Sequence, residues 1–373
     1  MIDIKIKFLL IIFVFLNSCA GNDEFKEISK IPKKTVLILM EANNDLKYEA
    51  FSSINRMESS LPDGQNLIVY INSDDYNSHL IRIVGDKDPY RVKSDTIKTF
   101  KKDKSNLLNL DNAIESAKSS FGDIYGLILW SHATSWAKPS KQNVKTKSFG
   151  NDNDMEVDIR DLANILPRVE YLIFDACSMG SVEVIYEFKD KAKYIIASPS
   201  ETLAESLPYH LITPFLFEDI NNSLKKVCMT YFNYYNSYDD LRKSATISLY
   251  QTDKFNVLAE EVNKVYTDSS KELTRLSTDN IQRLDFTFNF PIPVYDFNDY
   301  FIVNFQQNDL TALSSAMNNF IVFKAYTPSF LGIRIKSFSG LSIYIPNGKF
   351  DPNLEYYKTL KWYKDSGVEK VLN

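Results

Sequence analysis

The segment Tyr171–Val184, with the sequence YLIFDACSMGSVEV, contains the transition that decides the fold of this chain. It begins with aromatic and branched apolar residues, which are typical of a buried strand, and it ends in a pattern typical of a helix. Asp175 and Cys177 lie between the two patterns and are followed by small residues. A cysteine at such a junction is either a packed thiol or a nucleophile, and the surrounding sequence helps to distinguish these two roles.

Strand-like runs recur along the chain and alternate with helical patterns. Runs of strand length are KTVLILMEAN, NLIVYIN, YGLILWSHA and KYIIAS, and HLIRIV with DTIKTF predicts an edge hairpin. Helical spacing is found in LKYEAFSSINRMESSL and in NLDNAIESAKSSF, the latter with Asn109 or Asp111 near its cap, and a further helix is expected from about Met179. Alternating strands and helices predict a mostly parallel sheet covered on both faces. Beyond about residue 220 the alternation becomes irregular.

Polar residues follow three of the predicted strands. These residues are Ser131 and His132, then Asp175 and Cys177, then Ser198 to Glu201. Because reactive groups in such sheets gather beyond the carboxyl ends of the strands, the pattern puts His132 and Cys177 on one edge. A cysteine nucleophile needs a partner group and donors for an oxyanion, which a strand-to-helix junction can supply. The residue types alone do not decide whether His132 and Cys177 are a catalytic pair or two structural residues.

The first 32 residues carry signals for export. Lys5 and Lys7 precede the apolar run FLLIIFVFL, which is too short to span a bilayer. The following Leu-Asn-Ser-Cys resembles the lipobox of bacterial lipoproteins, which implies cleavage before Cys19 and attachment of lipid to it. We therefore expect a signal peptide at 1–18 and a lipidated tether at 19–32. The alternative is an ordinary signal peptide with a chance cysteine.

Composition and charge narrow the class of protein. The chain has 373 residues, of which 44% are hydrophobic and 24% charged, as in a folded globular protein rather than a disordered one. A net charge of -5 without a basic stripe argues against nucleic-acid binding. If Cys19 carries lipid, only Cys177 and Cys228 remain, and two cysteines make no disulfide framework.

The segments LILWSHATSW and YLIFDACSMGSVEV resemble the two active-site segments of the clostripain family of cysteine peptidases, which belongs to the caspase-like clan. Four more segments agree with that family in the same order: MEANNDL, GNDNDMEVDIRDLANIL, IIASPSETLAESLPY and FSGLSIYIP. The resemblance covers roughly residues 33 to 365. It implies a caspase-like three-layer α/β/α sandwich with a mostly parallel central sheet and an α+β C-terminal extension. We expect a catalytic domain at 33–240 and a C-terminal portion, 241–373, packed on it.

The resemblance also implies roles for individual residues. His132 is similar to the catalytic histidine and Cys177 to the nucleophile, with oxyanion donors in the backbone N–H groups of Ala133 and Cys177. The family more often has glycine after the histidine, but alanine keeps the N–H group unless the position requires positive φ. Asp175 matches the aspartate that faces a basic P1 side chain, although an aspartate satisfied by loop N–H groups is the alternative. Glu201 is a weaker candidate for the same substrate pocket.

The stretch Ala137–Asp154 contains four lysines and no apolar period, so it predicts an exposed loop. A solvated loop is the plain interpretation, whereas the resemblance implies self-cleavage after a basic residue here. The bond between Lys147 and Ser148 is the first candidate, and Lys145 is the next. An EF-hand beginning at Asp152 fails, because its sixth and twelfth positions hold Val157 and Ala163. We therefore expect no metal site and no required cofactor, although the resemblance leaves a looser calcium site open.

Together these features predict a cysteine endopeptidase that is exported and lipid-anchored to a bacterial membrane, in the periplasm or at the cell surface. Its partners would be the membrane and proteins or peptides with Arg or Lys at P1, and not nucleic acid. The alternative is a catalytically idle or single-substrate lipoprotein that binds peptides or glycans.

Overall fold

The structure is a computed structural model that describes residues 33–103, 105–137, 149–152, 155–269, 276–286 and 292–372. Three expected sites lie outside these residues: the lipidation site Cys19, and Lys147 and Ser148 of the expected cleavage site. The export segment and its tether, 1–32, also lie outside them. Within the described part of the chain, no helix has the length and apolar character needed to cross a membrane.

Fifteen strands are described. They are β1 (Thr35–Glu41), β2 (Asn66–Asn72), β3 (Asn77–Arg82), β4 (Asp95–Lys101), β5 (Gly126–Trp130), β6 (Phe149–Asp152), β7 (Met155–Val157), β8 (Val169–Asp175), β9 (Ala192–Ala197), β10 (Thr246–Gln251), β11 (Tyr295–Asp296), β12 (Ile321–Tyr326), β13 (Ser329–Phe330), β14 (Ile333–Arg334) and β15 (Ser342–Ile343).

Eleven α-helices accompany the strands in the described residues. They are α1 (Lys47–Glu58), α2 (Asn106–Phe121), α3 (Ile159–Ile165), α4 (Val182–Phe188), α5 (Tyr209–Ile212), α6 (Ile220–Asn236), α7 (Phe255–Ser269), α8 (Phe297–Asn304), α9 (Thr311–Phe320), α10 (Leu354–Tyr357) and α11 (Lys361–Ser366).

Nine strands form one mixed sheet in the order β12-β10-β9-β8-β5-β1-β2-β3-β4. The five central strands, from β9 to β2, pair in parallel, and two antiparallel strands extend each side. The predicted mostly parallel sheet and its edge hairpin, β3 with β4, are therefore confirmed. Strands from both sides of residue 240 share this sheet, and residues 33–373 form one compact unit. The expected boundary at residue 240 consequently does not separate two sheets.

The apolar residues of the central strands pack on both faces of the sheet. In β1, for example, Leu37 and Leu39 belong to the core cluster shared with α2, α3, α4, α7, α9 and α11. Their neighbours Val36, Ile38 and Met40 belong to the cluster shared with α1, α5 and α6. Because successive strand residues point to opposite faces, a continuous apolar run requires helices on both sides. This confirms the three-layer arrangement.

Two predicted helix starts were wrong. The helix α2 begins at Asn106 and is capped by Ser105, whose side chain accepts a hydrogen bond from the Leu108 N–H. The helix α4 begins at Val182, capped by Ser181, and not near Met179. Serine is a favoured N-cap because its oxygen satisfies an otherwise unpaired N–H of the first turn. Between Cys177 and α4 the chain instead makes a turn in which Ser178 has φ 57°.

Candidate active site

The register of β5 and β8 brings the two candidate catalytic residues to one edge of the sheet. Trp130 pairs with Asp175 as the last residues of the two parallel strands. His132 and Cys177 each follow two residues later, so both start from the same level on neighbouring strands. Neighbouring strands lie about 4.8 Å apart, which fixes the two loops side by side.

A second contact joins these loops beneath the edge. The Ser135 and Ser181 hydroxyl oxygens are 2.8 Å apart and both residues are buried. Ser135 follows His132, whereas Ser181 caps the helix that follows Cys177. The hydrogen bond therefore couples the positions of the two candidate catalytic residues.

The Cys177 sulfur makes its hydrogen bonds with Thr202. It accepts from the Thr202 N–H at 3.3 Å and lies 3.5 Å from the Thr202 hydroxyl oxygen. Burial raises the pKa of the thiol, and the charges of Glu201 and Asp175 raise it further. The thiol is therefore protonated at neutral pH in the substrate-free protein. Cys177 and Cys228 are both free cysteines, so neither is held in a disulfide.

Asp45, in the segment that follows β1, orients the His132 side chain. The His132 Nε2 lies 2.7 Å from the Asp45 Oδ1, and Asp45 follows β1 by four residues. The Asp45 side chain is 82% exposed, so solvent screens the pair and limits it to roughly 1 kcal/mol or less. The contact orients the imidazole at the edge of the site. Between the described residues His132 and Cys177 no hydrogen bond is formed: His132 contacts Asp45, whereas the Cys177 sulfur contacts Thr202.

Asp175 is buried beneath the edge and held by a loop that follows β9. Its Oδ2 accepts hydrogen bonds from the Tyr209 hydroxyl at 2.8 Å, the Leu207 N–H at 3.3 Å and the Ser206 hydroxyl. Burial raises the pKa of this carboxyl to about 6, although the three hydrogen bonds oppose the shift. One oxygen is therefore satisfied, but only the Leu207 donor is a loop backbone N–H; the other two donors are the hydroxyls of Ser206 and of Tyr209, the first residue of α5. All three hydrogen bonds are accepted by Oδ2, and none of these donors contacts Oδ1.

Glu201, the weaker candidate for the substrate pocket, makes a structural contact. Its side chain is buried, and its Oε2 accepts a hydrogen bond from the Phe286 N–H at 2.9 Å. Phe286 belongs to a separate apolar cluster with Val294 and Phe330. The carboxylate thus attaches this cluster to the loop that contains Thr202.

Ala133 meets the condition for an oxyanion donor. It is not among the described residues with positive φ, so alanine stands there without backbone strain. It is buried and forms an isolated antiparallel bridge with Phe149, in which the His132 carbonyl accepts from the Gly150 N–H at 3.1 Å. The bridge fixes the backbone on the C-terminal side of His132.

Three residues of the site carried no recognisable signal in the sequence. Asp45 lies in the segment MEANNDL, and Thr202 and Ser206 lie in IIASPSETLAESLPY, but no spacing rule connects them to His132, Cys177 or Asp175. Each reaches its partner only because the sheet order brings β1 and β9 beside β5 and β8. Among the described residues, no group of three or more His, Cys, Asp or Glu side chains could hold a metal ion.

We predict that Gly180→Ala destabilises the protein by about 1–3 kcal/mol, the usual cost of overpacking. A Cβ at Gly180 would lie 2.6 Å from the Pro199 backbone nitrogen and 2.8 Å from the Tyr250 hydroxyl oxygen. The Gly180 N–H also donates to the Ser198 carbonyl at 2.8 Å, so the loops would have to separate. Denaturant unfolding measures the loss. Gly85→Ala is the matched control, since its Cβ would meet nothing nearer than 4.0 Å; equal loss in both variants would contradict the prediction.

Comparisons with known proteins agree with this geometry. The profile of the clostripain family (Peptidase_C11) matches residues 38–372. A secreted C11 cysteine protease from Bacteroides thetaiotaomicron, solved with an irreversible peptide inhibitor, is 22% identical; the match covers 91% of this chain and 100% of that one, with a TM-score of 0.75. An inactive zymogen C11 protease from Parabacteroides distasonis is 27% identical, with 89% and 97% covered and a TM-score of 0.74. None of the curated proteins matches the chain.

Proposed function

The chain belongs to the clostripain family of cysteine peptidases, and from this membership we propose that it cleaves peptide bonds after Arg or Lys through Cys177 and His132. The observation that carries the proposal is the β5–β8 register, which starts both catalytic loops at one level and buries Asp175 directly beneath them. A nucleophile, a proton donor and a pocket carboxylate then act on one bound peptide.

The chemistry follows from the positions of these groups. The Cys177 sulfur attacks the carbonyl carbon of the scissile bond, and the thiol proton passes to His132. His132 then protonates the leaving nitrogen as the C–N bond breaks, leaving a thioester that water hydrolyses. The backbone N–H groups of Ala133 and Cys177 donate to the oxyanion. Thr202 and Asp45 position the sulfur and the imidazole respectively.

The proposed P1 preference rests on Asp175. A buried carboxylate attracts a cation more strongly than an exposed one does, because little water screens the pair. Three donors hold Oδ2 in place, so the carboxylate is oriented before substrate arrives. Its other oxygen, Oδ1, is left to pair with the P1 side chain. A guanidinium would gain more than an ammonium from this fixed geometry, which favours Arg over Lys.

We further propose that the protein is exported and held to a bacterial membrane by lipid on Cys19, and that it is processed by its own activity between Lys147 and Ser148. The lipobox-like Leu-Asn-Ser-Cys supports the anchor, and the lysine-rich stretch 138–148 supports the cleavage. The catalytic steps proposed above require no cofactor, and a calcium site would act outside them.

Hydrolysis of fluorogenic peptides that differ only at P1 tests the proposed function. With Arg, Lys, Asp or Leu at P1, we expect kcat/KM for Arg and Lys to exceed that for Leu by about 100-fold or more, as a buried charge pair provides. Faster turnover of the Asp or Leu peptide would keep the cysteine peptidase and remove Asp175 as the determinant of specificity.

A further inference from the structure

A cavity of about 990 Å³ opens at the edge of the sheet opposite to Cys177. We call it the opposite-edge cavity. It lies where the parallel strands begin, since its lining includes Thr35 of β1, Val169 of β8 and Ala192 of β9. Nothing in the proposed peptidase reaction uses this edge.

The opposite-edge cavity is basic although the protein as a whole is acidic. Seven basic side chains line it against four acidic ones, on a chain whose net charge is -5. The basic residues are Lys33, Lys34, Lys118, Arg168, Lys189, Lys191 and Lys193. Three of them form ion pairs, Lys118 with Glu115, Lys189 with Asp190 and Lys193 with Glu170, so the excess of positive charge rests on the other four. A local excess of positive charge attracts anions to this edge while the rest of the surface repels them.

Two of these lysines are held by carbonyl groups rather than by carboxylates. The Lys34 Nζ donates to the Glu218 carbonyl at 2.6 Å and lies 3.9 Å from the centre of the Tyr125 ring. The Lys191 Nζ donates to the Leu166 carbonyl at 2.9 Å and to the Asn164 carbonyl at 3.3 Å. These contacts fix the positions of the two ammonium groups, while the carboxylates of Asp219 and Glu170 near Lys34, and of Asp190 near Lys191, offset part of their charge.

The cationic charges in the opposite-edge cavity also oppose one another. Burial lowers the pKa of Lys191, and the nearby Lys361 and Arg168 lower it further. Burial likewise lowers the pKa of Lys34. Arg168 is exposed at the turn before β8, where its planar guanidinium can pair with two oxygens of one anion. A bound anion would relieve this repulsion.

We propose that the opposite-edge cavity binds a phosphate-bearing anion, supplied either by a lipid headgroup or by a free polyphosphate. Phosphate fits because its several oxygens can accept from fixed ammonium groups and from Arg168 together. The headgroup source rests on the lipid anchor proposed above, whereas the free source does not. From Cys19 to Lys33 an extended chain reaches no more than roughly 50 Å, so the cavity stays near the membrane of an anchored protein.

Lysine acetylation of the full-length protein, read by mass spectrometry, tests the proposal. Labelling is compared for detergent-held protein with and without inorganic tripolyphosphate, and for protein in phosphatidylcholine vesicles with and without phosphatidylglycerol. We expect labelling of Lys33, Lys191 and Lys193 to fall at least about threefold with the anion, since an anionic group bound beside these amines shields them from the reagent. Lys47, exposed at the start of α1, should not change.

Matched charge reversals separate a built site from general attraction. Arg168→Glu should remove the protection, whereas Lys47→Glu should preserve it. Protection by tripolyphosphate supports a free anion, and protection by phosphatidylglycerol alone supports a headgroup. Unchanged labelling under both conditions, or equal loss of protection in both variants, overturns the proposal. The labelling experiment with tripolyphosphate needs neither lipid on Cys19 nor peptidase activity. Its result can therefore be interpreted even if the proposed function is wrong.

Discussion

Cys177→Ala is expected to lower kcat for the best P1 peptide by at least about 10,000-fold, the loss typical of a removed nucleophile. The substitution removes the atom that forms the thioester, so no other residue of the site can replace it. It should cost the fold little. Cys177 is only partly buried, and its sulfur's hydrogen bonds are weak contacts with Thr202. Turnover and denaturant unfolding of the same preparation measure both effects.

Cys228→Ala is the matched control for this experiment. Cys228 is the other described cysteine; it is completely buried in α6, and burial raises the pKa of its thiol far above the usual range. A thiol in such surroundings is unreactive. The variant should therefore lose stability and keep its turnover. Full activity of Cys177→Ala, or an equal loss of activity in both variants, would exclude Cys177 as the nucleophile.

The same pair of variants tests self-processing. If the protein cleaves itself after Lys147, intact mass should show two chains for wild type and Cys228→Ala, and one chain for Cys177→Ala. The mass of the N-terminal chain also reports lipid on Cys19. An active wild-type protein that remains a single uncut chain would contradict processing, although it would leave the peptidase reaction untouched.

The central sheet could be predicted from the sequence, whereas its C-terminal edge could not. Strands β1, β5 and β8 are apolar throughout because helices cover both faces, and that pattern is visible without a structure. The strand β12 is half-exposed along its length and pairs antiparallel to β10, so it has neither an apolar run nor an alternation with helices. Its place in the sheet depends on pairing with a strand far earlier in the chain, from Thr246 with Tyr326 to Tyr250 with Ile321.

The site divides in the same way. His132 and Cys177 could be located because each follows a recognisable strand, and strand ends in a parallel sheet share an edge. The residues that hold them could not, because the contacts of Asp45 with His132 and of Thr202 with Cys177 exist only after the sheet has formed. The structural contact of Glu201 was not predictable for a related reason. An acidic residue near a nucleophile suggests substrate binding, but burial against the Phe286 N–H depends on a segment 85 residues away.

Asp175→Asn is expected to lower kcat/KM for the Arg peptide by about 30-fold to 5,000-fold. Truncating one partner of a desolvated charge pair costs about 2–5 kcal/mol, since the other charge stays buried without compensation. The Leu peptide presents no charge to this position, so its kcat/KM should change little. If the substitution merely disturbed the contacts with Ser206 and Tyr209, kcat/KM would fall by the same factor for both peptides. The ratio of the two values therefore separates a specificity role from a structural one.

The pH dependence provides a second readout of the same group. Burial raises the pKa of the Asp175 carboxyl to about 6, so it is ionised above that pH and neutral below it. As pH falls through 6, the free enzyme loses the charge that attracts the P1 cation, and kcat/KM for the Arg peptide should fall with it. For the Leu peptide, kcat/KM of the wild-type protein should not show this fall near pH 6. For the Arg peptide, kcat/KM of Asp175→Asn should not show it either.

Glu201→Gln is the control that distinguishes the two buried carboxyls of the site. It removes one negative charge close to Cys177, as Asp175→Asn does, but from a carboxylate already bound to the Phe286 N–H. Glutamine keeps an oxygen that can accept this hydrogen bond, so the fold should persist. We expect the preference for Arg over Leu to survive in this variant. Loss of the preference here, with its retention in Asp175→Asn, would move the P1 determinant from Asp175 to Glu201.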